Sequence, residues 1–134
     1  RETIAFERAA TLAWTQVQVQ LRHLSIDQAE AALFQRVGGH LHYASQNLRP
    51  ASATIQRGSG PQSGLWALGI SGDLPIVLLR LDDTEHVNIA RQLLRAHEYW
   101  QMKQLAVDLV ILNERASSYV QDLQIALESL ARTS

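Results

Sequence analysis

Two short apolar runs separated by one long helical pattern constrain the fold of this chain most strongly. Residues 76–81 (IVLLRL) and 107–112 (VDLVIL) are rich in side chains that favour buried strands. Between them, roughly residues 85–104 repeat apolar side chains at helical spacing, and Asp82 and Asp83 stand before them as candidate caps. Strand, helix and strand in this order predict a βαβ unit with two parallel strands and a right-handed crossover.

Two further helices are predicted before this unit. The first, roughly residues 2–23, places an apolar stripe at spacings of three and four, made of Phe6, Ala10, Ala13, Trp14, Val17 and Leu21. The second follows a cap at Ser25 or Asp27, and the short connection predicts an antiparallel hairpin. Gly38 and Gly39 lie inside its pattern, where glycine weakens a helix, so we expect a break or bend there.

The predicted class is therefore a helix-rich α/β module with one domain over residues 1–134. Residues 1–44 form the antiparallel helical hairpin, residues 45–75 an irregular loop with a helical turn after Pro50, and residues 76–134 a β-α-β-α unit. The last helix is predicted from a capping-box pattern at Ser118 and Gln121. Because the chain opens on Arg1 inside a helical pattern, we expect it to be cut from a larger multidomain polypeptide.

Composition excludes several functions. The net charge of −1 argues against sequence-independent binding to nucleic acid, which needs a basic surface. No apolar run approaches the roughly 20 residues of a membrane span, so we expect no direct membrane insertion. The chain has no cysteine and no zinc-protease motif among its five histidines, so we predict no metal site and no cofactor in this segment.

The glycine loop GISGD, residues 69–73, suggests chemistry at first sight. A nucleophile elbow places a glycine two residues on either side of its serine and turns from a strand into a helix, whereas here Gly72 follows Ser71 directly and the loop enters a strand. A phosphate loop needs a helix N-terminus, which is also missing. The pattern favours a rigid entry turn, in which Gly69 and Gly72 take positive φ while Ser71 and Asp73 bond nearby backbone.

The carboxyl ends of the two strands are a second candidate site, because ligands of open parallel sheets bind there. Asp82 and Asp83 follow the first strand, and Asn113, Glu114 and Arg115 follow the second. These side chains either contact a polar ligand or cap the turns and helices that follow.

Aromatic side chains and one histidine complete the candidates. Trp14 and Trp100 lie on predicted inward faces and are expected in the core, and His97 is expected to pack with its polar edge hydrogen-bonded. Trp66 lies in the irregular stretch, where it either anchors the loop or presents its ring to a ligand or a neighbouring domain.

Four long strings resemble one known family. FERAATLAWTQVQVQLRHL, QSGLWALGISGDLPIVLLRL, RQLLRAHEYWQMKQLAVDLVILNE and SYVQDLQ are similar to the cyclic β-1,2-glucan synthases over nearly the whole chain. The resemblance is loosest at Gly38, Gly39 and the string SATIQRGSGP.

The resemblance implies membership of a large bacterial polypeptide that makes cyclic β-1,2-glucan from UDP-glucose at the cytoplasmic face of the inner membrane. Its carboxy-terminal part is similar to the family-94 glycoside phosphorylases, whose catalytic motifs lie in a helical barrel and have no counterpart in this chain. The segment is implied to adjoin that part as a non-catalytic linking module whose partners are neighbouring domains of the same polypeptide.

Two other functions remain open from the sequence. One is a β-1,2-glucan-binding module that uses Trp66 and the strand ends, and the other is a small independent hydrolase that uses Ser71, Asp73 and Glu114. The residues expected to contact substrate or a neighbouring domain are Gln62, Trp66, Ser71, Asp73, Asn113 and Glu114.

Overall fold

The computed structural model describes residues 2–58, 60–114 and 120–133. Its helices are α1 (Glu2–His23), α2 (Gln28–His42), α3 (Ser52–Arg57), α4 (Ser63–Trp66), α5 (Val87–Met102) and α6 (Val120–Thr133). Its strands are β1 (Ile76–Leu81) and β2 (Asp108–Asn113), and single 3₁₀ turns occur at Gln46–Leu48 and Thr84–His86. The capping-box residue Ser118 and the candidate Arg115 lie outside the described residues.

The two strands form a parallel pair with α5 between them in the chain, so the predicted βαβ unit is confirmed. The register runs without a bulge from Ile76 opposite Asp108 to Leu81 opposite Asn113. Together with the preceding helices and α6, this confirms the helix-rich α/β class.

Only one face of β1 is well covered. Its side chains alternate between exposed and partly or fully buried, with Leu81 at 2% exposure while Leu78 on the other face is 54% exposed. Ile76 and Leu112 are also exposed apolar side chains of the sheet. Parallel sheets usually have both faces covered, so the sheet presents an apolar outer face that the described residues leave open.

The core consists of two clusters. The larger joins the end of α1, α2 and α5 around Phe34, Tyr99 and Trp100. The smaller packs α6 against β1 and the start of α5 through Leu81, Ala90 and Leu123. Between them the two clusters attach every long element except the first turns of α1.

Helix α2 runs through both glycines without interruption, so the expected break at Gly38 and Gly39 is wrong. Asp27 caps the helix by accepting a hydrogen bond from the Glu30 N–H at 2.8 Å, as predicted. The reason for Gly38 is close packing, because a Cβ there would lie 3.0 Å from Nε1 of Trp100. Gly39 has no such reason, since a Cβ there would meet nothing within 4 Å.

Most of α1 extends beyond the core. Every described residue from position 2 to position 16 is exposed, and the first buried side chain of the helix is Leu21. Trp14, expected in the core, is 64% exposed, so that prediction is wrong, and Phe6 is 75% exposed. The stripe is continuous along the helix, but only its last turns find an apolar partner within the described chain.

The turn between α1 and α2 is fastened to α5 by one arginine. The Arg95 guanidinium donates to the Ser25 carbonyl at 2.6 Å and pairs with the Glu30 carboxylate. Ser25 itself takes φ of 54°, a conformation that side-chain-bearing residues adopt seldom. The arginine therefore holds the turn in place across 70 residues of chain.

The two adjacent glycines of α2 allow a matched test of this packing. Gly39→Ala should raise the free energy of unfolding by about 1 kcal/mol, because alanine is the better helix former and its methyl group is unobstructed. Gly38→Ala should lower it by about 1 kcal/mol, because the methyl group overlaps the Trp100 indole and outweighs the same gain in helix propensity. Urea denaturation of both variants measures the difference, and equal effects of the two would contradict the tight contact.

Candidate functional site

The glycine loop before β1 is held by its own side chains. The Gln62 amide donates to the Ser71 carbonyl at 3.0 Å and to the Asp73 carboxylate at 2.9 Å. The Trp66 indole N–H donates to the same Ser71 carbonyl at 3.2 Å. The Asp73 N–H in turn donates to the Ser71 hydroxyl at 3.2 Å. The loop therefore brings together four sequence-predicted residues: Gln62, Trp66, Ser71 and Asp73.

Both glycines of the loop have the predicted backbone conformation. Gly69 has φ of 73° and Gly72 φ of 76°, in the region that favours glycine. A Cβ at Gly72 would also lie 2.8 Å from Cγ of Gln62, whereas one at Gly69 would meet nothing within 4 Å. Gly72 thus serves the turn twice, once through its conformation and once through the space it leaves for Gln62.

This arrangement gives the loop no support as a nucleophile site. Among the described residues, the Ser71 hydroxyl bonds to the Asp73 backbone and not to a histidine or other base. The loop leads into β1, so no helix N-terminus stands behind it to bind an anion. Its polar groups are occupied in fastening the turn to α4.

At the carboxyl ends of the strands, Glu114 pairs with Arg80. The Arg80 guanidinium lies 2.8 to 2.9 Å from the Glu114 carboxylate, and this hydrogen bond and charge raise the pKa of Arg80 above its ordinary value. The Asn113 side chain lies 3.5 Å from that of Gln124 on α6. These contacts link the ends of the strands to each other and to α6.

The structure does not bring Ser71 and Asp73 together with Glu114. The serine and the aspartate precede β1, while Glu114 follows β2 and its N–H bonds the carbonyl of Leu81 at the far end of β1. Five residue steps at about 3.3 Å place the two ends of the strand about 17 Å apart. Such a separation gives no support to a hydrolase that would use all three.

The remaining polar candidates have local roles. Asp83 caps the turn at Thr84–His86 through the Glu85 N–H at 3.0 Å, as predicted, and Asp82 lies 3.4 Å from the His86 ring. His97 donates from Nε2 to the Val107 carbonyl at 3.0 Å, which confirms its expected hydrogen bond. Across the described ranges, no group of three histidine or acidic side chains is arranged to hold a metal ion.

Trp66 anchors the loop, which is one of the two roles that the sequence left open. Its N–H is fixed to the Ser71 carbonyl, yet 63% of the residue is exposed. Its neighbour Leu68 is 74% exposed. The loop therefore carries an oriented aromatic and an aliphatic side chain on the surface.

A cleft of about 890 Å³ lies at the opposite, amino end of the sheet. It is lined by Leu74 before β1, by residues 104–109 at the entry to β2, and by side chains of α5 and α6. Its polar lining includes three carboxylates, those of Glu98, Asp108 and Glu128. One oxygen of Asp108, Oδ2, is shielded from solvent and finds no hydrogen-bond partner in the described part of the chain.

Sequence reasoning missed this cleft because its residues come from separate elements with no common spacing. It also looked for ligands at the carboxyl ends of the strands, where they usually bind. One signal was present: Asp108 is a single acidic residue inside an otherwise apolar predicted strand. A shielded carboxylate oxygen in a partly buried strand needs a partner, and among the described residues one oxygen of Asp108 has none.

Comparison with known proteins finds one similar curated protein. The chain is 47% identical over 130 residues to the cyclic beta-(1,2)-glucan synthase NdvB of Rhizobium meliloti (strain 1021). This match covers 97% of the chain but 5% of the relative, so the chain spans about a twentieth of that protein's length. The resemblance predicted from the sequence is thereby confirmed.

No family model matches the chain. No solved structure matches it significantly either. Within the described residues, no helix has both the length and the apolar character needed to cross a bilayer.

The two loop glycines allow a matched test of the entry turn. Gly69→Ala should lower the free energy of unfolding by about 1 kcal/mol, because only its positive φ opposes a side chain. Gly72→Ala should lower it by about 2 kcal/mol or more, because its methyl group also displaces Gln62. Urea denaturation followed by tryptophan fluorescence measures both. A Gly72 variant that is as stable as the Gly69 variant would refute the close contact between position 72 and Gln62.

Proposed function

We propose that this chain is a non-catalytic linking module of a cyclic β-1,2-glucan synthase and that it positions the carbohydrate-active domains of that polypeptide. The similarity to a curated synthase runs through 97% of the chain and 5% of the relative, which is the relation expected of one module in a much longer protein. The glycosyltransferase and phosphorylase-like activities would then belong to other parts of the polypeptide.

The single observation that carries the linking role is the exposed apolar stripe of α1. Phe6 and Trp14 are 75% and 64% exposed on a helix whose first turns have no apolar partner in the described chain. A helix of about 15 residues is marginal in water on its own, so these turns need a second surface to be stable. Large apolar patches of this kind mark interaction sites.

The glycine loop supports the same proposal. Its polar side chains fasten the turn, and the exposed Trp66 and Leu68 are left beside it. We assign Gln62, Trp66, Ser71 and Asp73 to a domain contact, with no cofactor and no catalytic role. In the complete synthase, the module would lie on the cytoplasmic side of the inner membrane.

A charge placed on the α1 stripe tests the linking role. Phe6→Glu and Trp14→Glu should change the melting temperature of the isolated 134-residue chain little, because both side chains are already in solvent. In the complete synthase, the same variants should lower the stability of the domain assembly by about 2 kcal/mol or more each, because they place a charge in an apolar contact. Calorimetric unfolding and limited proteolysis of both proteins measure this difference.

Thr15→Glu is the matched control, because Thr15 lies on the opposite side of α1 and is exposed. It should leave both proteins unchanged. Stripe variants that behave like this control in the complete synthase would overturn the linking role.

The non-catalytic assignment has its own test. Ser71→Ala and Glu114→Gln in the complete synthase should leave the rate of glucosyl transfer from UDP-glucose within about twofold, because neither side chain is arranged for chemistry. A loss of about a hundredfold in kcat with an unchanged melting temperature would show that the module takes part in the reaction.

A further inference from the structure

β1 is an edge strand, because the described residues form a sheet of one parallel pair. Sheets of globular proteins usually have about four to six strands. Parallel sheets are also usually covered on both faces, whereas here α5 and α6 pack against one face. A sheet of two strands leaves a row of backbone groups on each side without a ladder partner.

The register shows which backbone groups of β1 point away from β2. The Asp108 N–H donates to the Pro75 carbonyl at 2.9 Å, and the Glu114 N–H donates to the Leu81 carbonyl at 2.7 Å. Because backbone groups alternate in direction along a strand, the odd-numbered residues of β1 direct their N–H and C=O groups toward β2. The residues that direct these groups outward, here called the outer edge of β1, are Ile76, Leu78 and Arg80.

The outer edge of β1 has no backbone partner in the described part of the chain. No backbone group of residues 2–58, 60–114 or 120–133 bonds the N–H or C=O groups of its three residues. Their side chains are all exposed, whereas most residues of β2 are partly buried. β1 is therefore the more accessible of the two strands.

The sequence of β1 lacks the features that usually protect an edge strand from pairing. Such strands are often very short, carry a bulge or a proline, or present unpaired charges. β1 has six residues, a register without a bulge, and no proline inside it. Its one charged side chain, Arg80, is already paired with Glu114. An unprotected apolar edge of this kind is a template for another strand.

We propose that the outer edge of β1 accepts an extended segment of a neighbouring domain of the same polypeptide as a third strand. A row of alternating N–H and C=O groups matches the backbone of an extended chain, and the exposed Ile76 and Leu78 would contact apolar side chains of the added strand.

The choice of the same polypeptide as the donor rests on the proposed function. The chain spans about a twentieth of its curated relative, so most of such a synthase lies outside the module and is covalently connected to it. A connected segment has a high effective concentration at the edge, which favours it over a second copy of the chain.

Hydrogen–deuterium exchange of the complete synthase, resolved to single amides by fragmentation mass spectrometry, tests the pairing without any substitution. With a third strand, the outward amides of Leu78 and Arg80 should exchange as slowly as the inward amides of Leu79 and Leu81, which are the internal control. Outward amides that exchange about a hundredfold faster than the inward ones would overturn the proposal.

A proline at the centre of the edge gives a second test. Leu78→Pro removes an outward donor and should lower the melting temperature of the complete synthase by about 5 °C or more, because it breaks a bond to the third strand. Leu78→Val is the matched control, since it is similar in size to proline and keeps the N–H. Equal effects of the two variants would contradict a paired edge, because an unpaired edge tolerates proline where its N–H faces solvent.

Photo-cross-linking identifies the donor of the strand. A diazirine analogue of leucine in place of Leu78, in a mixture of isotopically light and heavy synthase, should cross-link to a distant segment of its own polypeptide. Cross-links that join light and heavy peptides would show that a second copy covers the edge and would overturn the choice of donor.

The outcome can be distinguished from that of the α1 test. Loss of stability on charging the α1 stripe, together with fast exchange of the outward amides, would leave the linking role and remove the third strand. Slow exchange of the outward amides, with α1 variants that behave like their control, would leave the third strand and remove the role of the α1 stripe.

Discussion

The contact on which the rest of the structure depends is the one between the Trp100 indole and α2. Trp100 is 1% exposed, and its N–H donates to the Phe34 carbonyl at 2.7 Å. Because α2 carries a glycine at position 38, the indole can lie directly against the helix backbone. This contact lies within the larger apolar cluster that joins the helical half of the chain to the βαβ half, and the Arg95 contacts at the α1–α2 turn add to it. An aromatic side chain that is both buried and hydrogen-bonded fixes position as well as supplying apolar contact.

The elements that the sequence predicted well are those whose patterns are local. β1 begins and ends where its apolar run does, Asp27 and Asp83 cap where a cap was expected, and the loop glycines take positive φ. The predictions that failed depend on contacts between residues that are far apart in the sequence. The stripe of α1 has the spacing of a buried face, and nothing local distinguishes Leu21, which packs, from Trp14, which does not. Glycine is a poor helix former, which led to the predicted break in α2. Gly38 is nevertheless required there because Trp100, 62 residues away in sequence, packs against it.

The candidate sites differ in the same respect: local sequence patterns predicted the glycine loop, but not the cleft. Gln62, Trp66, Ser71 and Asp73 are close in sequence, and the structure brings them into one hydrogen-bonded turn. Glu114 was grouped with them only by residue type, and the length of a strand separates it from them. The cleft is the opposite case, since its lining residues come from separate elements and share one cavity only because α5 and α6 both pack beside the sheet. Proximity of this kind follows from topology and is invisible to a search for motifs.

The described residues leave two apolar surfaces uncovered: the α1 stripe and the outer face of the sheet. A parallel pair of strands has few backbone hydrogen bonds of its own and usually lies between two layers. Here α5 and α6 supply one layer, and the exposed Leu78 and Leu112 indicate where a second would lie. In a domain that functions on its own, such side chains are usually buried or replaced by polar ones, because apolar area left in water contributes no stability. Their exposure on two separate surfaces is consistent with the proposed linking role, in which a different neighbouring domain would cover each surface.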